Sequence, residues 1–290
     1  MDVDLGVAAT VHVMSLQFEG KVAFITGAAR GQGRAHAVRF AEEGADIIAF
    51  DLCDQIASVG YPMATPEDLD ETVNLVEKTG RRIVAEQGDV RDLDALKGVV
   101  DKGVAEFGRI DFVLANAGIL TGVGDRRGEV ATFVDAIDVM LNGVYYTIEA
   151  ALPAMLAHGE GGAIVITSSA AGLKSISPGF GTMSHGAAGY VAAKHGVVGV
   201  MRYFATSLAE KNIRVNSVHP GGVATPMIFN QATLRFVEET GGFGVGQEPL
   251  LPIPPVEPEA VSDAMVYLCG PSGKYMTGVM LPLEGGLALR

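Results

Sequence analysis

Cysteine is almost missing: Cys53 and Cys269 are the only two among 290 residues. Neither a disulfide framework nor a Cys-rich zinc module can be built from them, and a reducing, cytoplasmic setting is expected. Basic residues are also scarce. Lys and Arg number 21 against 34 Asp and Glu, a net charge of −13, which argues against a nucleic-acid or anionic-membrane partner. No apolar run approaches the roughly 18–20 residues of a membrane-crossing helix. Acid at Asp2 and Asp4 stands where a signal peptide carries Lys or Arg. The six histidines, His12, His36, His158, His185, His195 and His219, show no ligand spacing with Cys or acids, so no metal is expected.

What is present in quantity is apolar. The 48% hydrophobic and 19% charged residues make a composition that can repay the entropy of folding. Residues 1–17 lack a clear period and read as an extension; residues 18–290 read as one domain. From Lys21 short apolar runs alternate with longer segments of helical spacing, the rhythm of βα units around a parallel sheet. Strands are expected at Val22–Thr26, Asp46–Phe50, Ile83–Gln87, Phe112–Ala115, Ala163–Thr167, Ile213–Val218 and Gly278–Pro282. Helices are expected over 34–43, 68–79, 93–107, 129–158 and 190–211. The expected fold is therefore α/β, a doubly wound parallel sheet of about seven strands with helices on both faces.

Two stretches interrupt the rhythm. Leu52–Pro66 exceeds the usual strand-to-helix connection of about 2–6 residues and reads as an insertion. Thr225–Pro258 holds six prolines and several glycines, which predicts an irregular segment and a lid.

Directly after the first strand comes Thr26-Gly27-Ala28-Ala29-Arg30-Gly31-Gln32-Gly33, then a helix. Glycines let backbone amides approach a pyrophosphate, and the helix amino terminus adds positive potential. At the head of a βαβ unit this pattern marks a dinucleotide site of the Rossmann type. Asp51 ends the second strand, near the spacing of a ribose-binding acid, and its carboxylate would occupy the place of a 2′-phosphate. That favours NAD. Arg30 pulls the other way, since a cation in the loop could pair with that phosphate; Asp51 receives more weight, and Leu52 beside it is included in the site.

Tyr190 and Lys194 lie at i and i+4, on one face of a helix. A nearby ammonium favours the phenolate of a tyrosine whose ordinary pKa is about 10. The fifth strand ends in Thr167-Ser168-Ser169, at the sheet edge where ligands gather. Together with Asp89-Val90 after the third strand, Asn116-Ala117-Gly118 after the fourth and Pro220-Gly221 after the sixth, these motifs resemble the short-chain dehydrogenase/reductase family from about Phe18 to Gly286.

The resemblance implies that Tyr190 is the general acid/base, that Ser169 polarises the substrate oxygen, and that Lys194 binds the nicotinamide ribose and lowers the Tyr190 pKa. It further implies adenine contacts from Asp89 and Val90, packing of Asn116, Ala117 and Gly118 on the adenosine side, and a carboxamide grip by Val223 and Thr225. A dimer or tetramer is implied as well. Where the family carries Asn in an NxxG pattern this chain has Met140, before Gly143. Asn142 lies roughly 200° further round a regular helix and should face elsewhere, which leaves the proton relay beyond Lys194 in question. The Ser169-to-Tyr190 interval is longer than usual, and the added loop, Lys174–Gly189 with Pro178, Phe180, Met183 and His185, is a candidate lining for the substrate site. Leu281-Pro282-Leu283-Glu284-Gly285-Gly286 is similar to the family's DGG ending, with Glu for Asp.

The insertion, with Asp51-Leu52-Cys53, Tyr61-Pro62 and Thr65-Pro66-Glu67-Asp68-Leu69, is similar to that of the mycofactocin-associated, carveol-dehydrogenase-like subgroup. This implies a cover that retains NAD and an external redox carrier that reoxidises it. The expected activity is hydride transfer between NAD and a secondary alcohol or ketone. Met227, Ile228, Phe229 and Phe243 suggest an apolar pocket for a cyclic or terpenoid-like substrate. An NADP-dependent carbonyl reductase and a non-catalytic NAD-binding regulator are the alternatives.

Overall fold

Alternation along β1 (Val22–Thr26) explains why the sheet has two cores. Val22 and Phe24 face one and Ala23 and Ile25 the other, with all of them buried. A strand covered on both faces must be apolar at successive positions, which is why these runs read so clearly. The computed structural model describes residues 16–175, 179–180, 183–240 and 248–290. Within them β1, β2 (Asp46–Asp51), β3 (Ile83–Gln87), β4 (Phe112–Ala115), β5 (Gly162–Thr167), β6 (Ile213–Pro220) and β7 (Met280–Leu283) form one parallel sheet in the order β3-β2-β1-β4-β5-β6-β7. The order reverses between β1 and β4, so a crevice opens there beyond the strands' carboxyl ends. The chain forms a single-domain Rossmann fold.

Helices α1 (Gly31–Glu42), α2 (Pro66–Lys78) and α8 (Pro258–Cys269) contribute to one core with Phe40, Val76 and Met265. The other takes Val99 from α3 (Leu93–Phe107), Ile148 from α5 (Gly143–Ala157) and Val197 from α6 (His185–Leu208). Phe18 is buried between Phe40 and Phe112, with ring centroids 5.0 and 4.6 Å away. Apolar packing of this kind, rather than helix propensity, holds most of these helices.

Several boundaries differ from the sequence expectation for physical reasons. Gly278 sits at φ +74°, a turn conformation, so β7 begins only at Met280. The expected helix over 129–158 is α4 (Val130–Ile137), one wide π turn (Asp138–Asn142) and α5. Helix α6 starts at His185 instead of Tyr190, with the Ser184 hydroxyl capping the Ala187 N–H at 3.1 Å. Residues 185–189 therefore belong to a helix and not to the added loop. The proline-rich stretch is not wholly irregular: it contains α7 (Gln231–Thr240), opened by the Asn230 side chain accepting the Thr233 N–H at 2.9 Å. Among the described residues no helix is long and apolar enough to cross a membrane.

Candidate active site

The glycine turn leaves β1 with Gly27 at φ +68° and Gly31 at φ +56°, a region that side chains with a Cβ rarely enter. A Cβ on Gly33 would lie 1.9 Å from the Gly27 carbonyl oxygen, so α1 can pack this closely only with glycine there. Arg30 precedes the helix without capping it through its side chain, and the first-turn N–H groups face the crevice as an anion cradle. Gly31, Gln32 and Gly33 line that crevice. These features fit a pyrophosphate. Asp51 closes β2 and lines the same cleft, accepting the Ala29 N–H at 2.9 Å and the Cys53 N–H at 3.2 Å. Burial pushes its carboxyl above the ordinary value, while those N–H groups and the Arg30 charge oppose the rise.

Arg30 also reaches the insertion: its guanidinium donates to the Pro62 carbonyl at 2.6 Å. That bond joins the glycine turn to the insertion. Gln55 organises the inserted loop, its amide donating to the Ile56, Val59 and Tyr61 carbonyls and its oxygen accepting the Met63 N–H. The buried Tyr61 hydroxyl accepts the Leu120 N–H at 3.0 Å, tying the insertion to the segment after β4. Gly60 and Gly124 approach so closely that a Cβ on either would lie 2.8 Å from the other's Cα. Ser58 donates to Asp135 at 2.5 Å, Asp135 pairs with Arg91 at 3.1 Å, and Arg91 pairs with Asp89 at 2.6 Å. Leu52, Ile56, Tyr61, Met63 and Ala64 thus form a wall of the cleft.

Asn116 stitches the strand ends together. Its amide donates to the Thr26 carbonyl at 3.1 Å and its oxygen accepts the Thr167 hydroxyl at 3.1 Å, across β1, β4 and β5. Ala117, Gly118, Asp89, Val90 and Thr225 line the same cleft. Val223 does not line it among the described residues; it is buried and bridges to Val256.

Ser169 and Tyr190 open instead onto a neighbouring cavity of about 320 Å³, within the range of small-molecule sites. The two spaces adjoin where consecutive residues divide between them: Ile119 and Met227 face the cleft, Leu120 and Ile228 the cavity. Ser169 beside it favours the Tyr190 phenolate, but burial outweighs this and holds the phenol above its ordinary value. Lys194 is buried, its ammonium donating to the Thr167 carbonyl at 2.8 Å and standing 5.7 Å from the Tyr190 ring centre. Burial lowers it to about 8. The expected lowering of the Tyr190 pKa by Lys194 is therefore not observed in the protein alone, because desolvation dominates at both groups.

Met140 is fully buried; a Cβ on Gly118 would lie 3.7 Å from both its sulfur and the Lys194 nitrogen. Asn142 turns away, as expected, and donates to the Asp138 carboxylate at 2.9 Å. Of the expected pocket residues, Ile228 lines the cavity and Met227 the cleft, while Phe229 is exposed; Phe243 lies outside the described residues. Of the added loop, Phe180 and Met183 are 91% and 71% exposed and do not line the cavity, contrary to the expectation for these two side chains. Pro178 lies outside the described residues.

Sequence reasoning missed His219, which holds the Ser169 carbonyl through Nδ1 at 2.9 Å and contacts Ser217 through Nε2 at 2.8 Å. Within the segment expected to be an irregular lid, the strap Pro249–Val256, bonded from the Leu251 N–H to the Gly285 carbonyl at 2.9 Å, walls the cavity with Glu284 and Leu287. One trio with metal-ligand proximity, Asp111, His158 and Glu160, was missed too. It lies away from this site: Lys21 and Arg109 pair with both acids, and both nitrogens of His158 are engaged, with the Ile110 carbonyl and the Glu160 N–H.

A dinucleotide-type cleft at the sheet's switch point, abutting a cavity that carries a hydroxyl and a phenol, defines a class of nucleotide-dependent α/β proteins. The chain belongs to the short-chain dehydrogenase/reductase family: the family model described as Enoyl-(Acyl carrier protein) reductase matches residues 27–288. It is 51% identical to an uncharacterized oxidoreductase of Mycobacterium tuberculosis, over 92% of this chain and 96% of that one. It is 44% identical to (-)-trans-carveol dehydrogenase of Rhodococcus erythropolis, over 94% and 99% of the two chains. The crystal structure of carveol dehydrogenase from Mycobacterium avium in complex with NAD superposes with a TM-score of 0.85 at 44% identity, covering 94% and 99%.

Proposed function

We propose that this protein is an NAD-dependent dehydrogenase that moves a hydride between NAD and a secondary alcohol or ketone, on an apolar cyclic or terpenoid-like substrate. The observation that carries this reading is the placement of Ser169 and Tyr190 together in the lining of an apolar cavity that adjoins the glycine-turn cleft. Kinship with a carveol dehydrogenase and with an NAD-bound carveol dehydrogenase structure supports both substrate class and cofactor. NAD, when bound, supplies the hydride acceptor at its nicotinamide ring. Gly27, Arg30, Gly31, Gln32 and Gly33 would cradle its pyrophosphate, and Asp51 with Leu52 its adenosine ribose. Asp89, Val90, Asn116, Ala117 and Gly118 would flank the adenine side, with Val223 and Thr225 toward the carboxamide.

In oxidation Ser169 orients the alcohol oxygen and Tyr190 takes its proton; in reduction the phenol returns it. Lys194, 5.7 Å from the Tyr190 ring centre, would bind the nicotinamide ribose. The Asp51 carboxylate at the end of β2 argues against a 2′-phosphate and hence against NADP. The insertion, anchored at Arg30, Asp135 and Leu120, supports NAD retention between turnovers and reoxidation by an external, mycofactocin-like carrier. Exposed Tyr145, Leu156 and Tyr203 on the adjoining α5 and α6 support a homodimer or homotetramer. Two free thiols, Cys53 and Cys269, fit a cytoplasmic setting.

Tyr190→Phe tests the mechanism. Alcohol oxidation falls at least a hundredfold while NAD binding is nearly unchanged; full activity in the variant refutes the role of the phenol.

A further inference from the structure

Glu284 is an odd residue to find in an apolar cavity. It follows β7, is 8% exposed, and lines the same space as Ser169 and Tyr190. One carboxylate oxygen, Oε2, accepts the Ala288 N–H at 2.9 Å and so caps the carboxyl-terminal turn. That bond explains only half of the group. Among the described residues no cation pairs with it, and Oε1 has no hydrogen-bond partner. A carboxylate has about four acceptor sites, so Oε1 remains open to the cavity as an acceptor. Gly221, opposite, leaves it room: a Cβ there would lie 3.3 Å from the Glu284 Cα and Cβ.

We propose that Glu284 is a specificity-determining residue, selecting ring alcohols that carry a second hydroxyl on the side away from the reacting carbon and rejecting those that carry a carboxylate there. The inference rests on the reading of this cavity as the substrate site. Ser169 follows β5 and Glu284 follows β7, two strand spacings apart at the same sheet edge, roughly 10 Å. A six-membered ring with oxygens at opposite ends, plus a hydrogen bond of about 2.7–2.8 Å at each, spans a gap of this order. Leu120, Ile228 and Ile253 give the ring apolar walls. At the reacting end Tyr190 and Ser169 engage one oxygen; at the far end the Glu284 Oε1 accepts from the second hydroxyl. A carboxylate placed there meets like charge.

Three probes that differ only at the far ring position test this: cyclohexanol, trans-1,4-cyclohexanediol and trans-4-hydroxycyclohexanecarboxylate, assayed with added NAD and an artificial electron acceptor. In the native protein kcat/KM for the diol exceeds that for cyclohexanol by about tenfold or more, and the carboxylate is the poorest. Glu284→Met brings the diol-to-cyclohexanol ratio to about one. Glu284→Gln, which keeps an oxygen for the Ala288 N–H and so guards against misfolding, raises the carboxylate relative to cyclohexanol. A merely structural cap would lower all three together and leave the ratios where they were. Equal ratios in the native protein and both variants overturn the proposal while leaving the dehydrogenase reading intact; no oxidation of any probe by the native protein overturns both.

Discussion

Lys194 carries its ammonium into a buried position with one backbone carbonyl as partner, and burial brings it down to about 8. The unfolded chain restores a value of about 10.4, so between these two the unfolded state binds more protons. Unfolding free energy therefore rises with pH from about 8 to about 10.4; below that window the cost of the buried charge is present in full. The rise is about 3 kcal/mol. Urea midpoints of nucleotide-free protein across this range will show it, and Lys194→Met will remove it; a variant with an unchanged pH slope contradicts the assignment. The i, i+4 spacing of Tyr190 and Lys194 was legible in the sequence because a helix face is periodic. His219 was not, since it acts through a contact with a different strand end that no local pattern announces, and the Glu284-Gly285-Gly286 ending was visible without its place in the cavity.

At the scale of elements the insertion after β2 does the most to shape the site. Its length was visible, but its anchors were not: Gln55 folds it, and Arg30, Asp135 and Leu120 hold it from three separate segments. Tyr61→Phe removes the acceptor of the buried Leu120 N–H. An unsatisfied buried donor costs about 1–3 kcal/mol, so NAD loss from the loaded variant, followed by its fluorescence or by mass after timed dialysis, speeds up by about tenfold. An unchanged rate means that the loop is decoration and not a cover. The strands were legible because burial on both faces demands unbroken apolar runs. Helix α7 was hidden by flanking proline and glycine, and the π turn over Asp138–Asn142 breaks a pattern that otherwise reads as one helix.

Over the whole molecule, two cores lock the sheet from both sides and leave only its carboxyl edge free for chemistry. That edge is divided between a cleft with an anion cradle and an acid, and a cavity with a hydroxyl, a phenol and a carboxylate. The acidic net charge and the two inert thiols, both pushed by burial to about 12, accord with a small-molecule enzyme rather than a nucleic-acid or redox-thiol protein. The proposed retention of NAD beneath the insertion has a direct test. Protein purified without added nucleotide, desalted extensively and then denatured should release NAD in near-equal molar amount, identified by mass. Released NADP would contradict the role given to Asp51, and protein that releases nothing yet turns over free NAD would contradict retention.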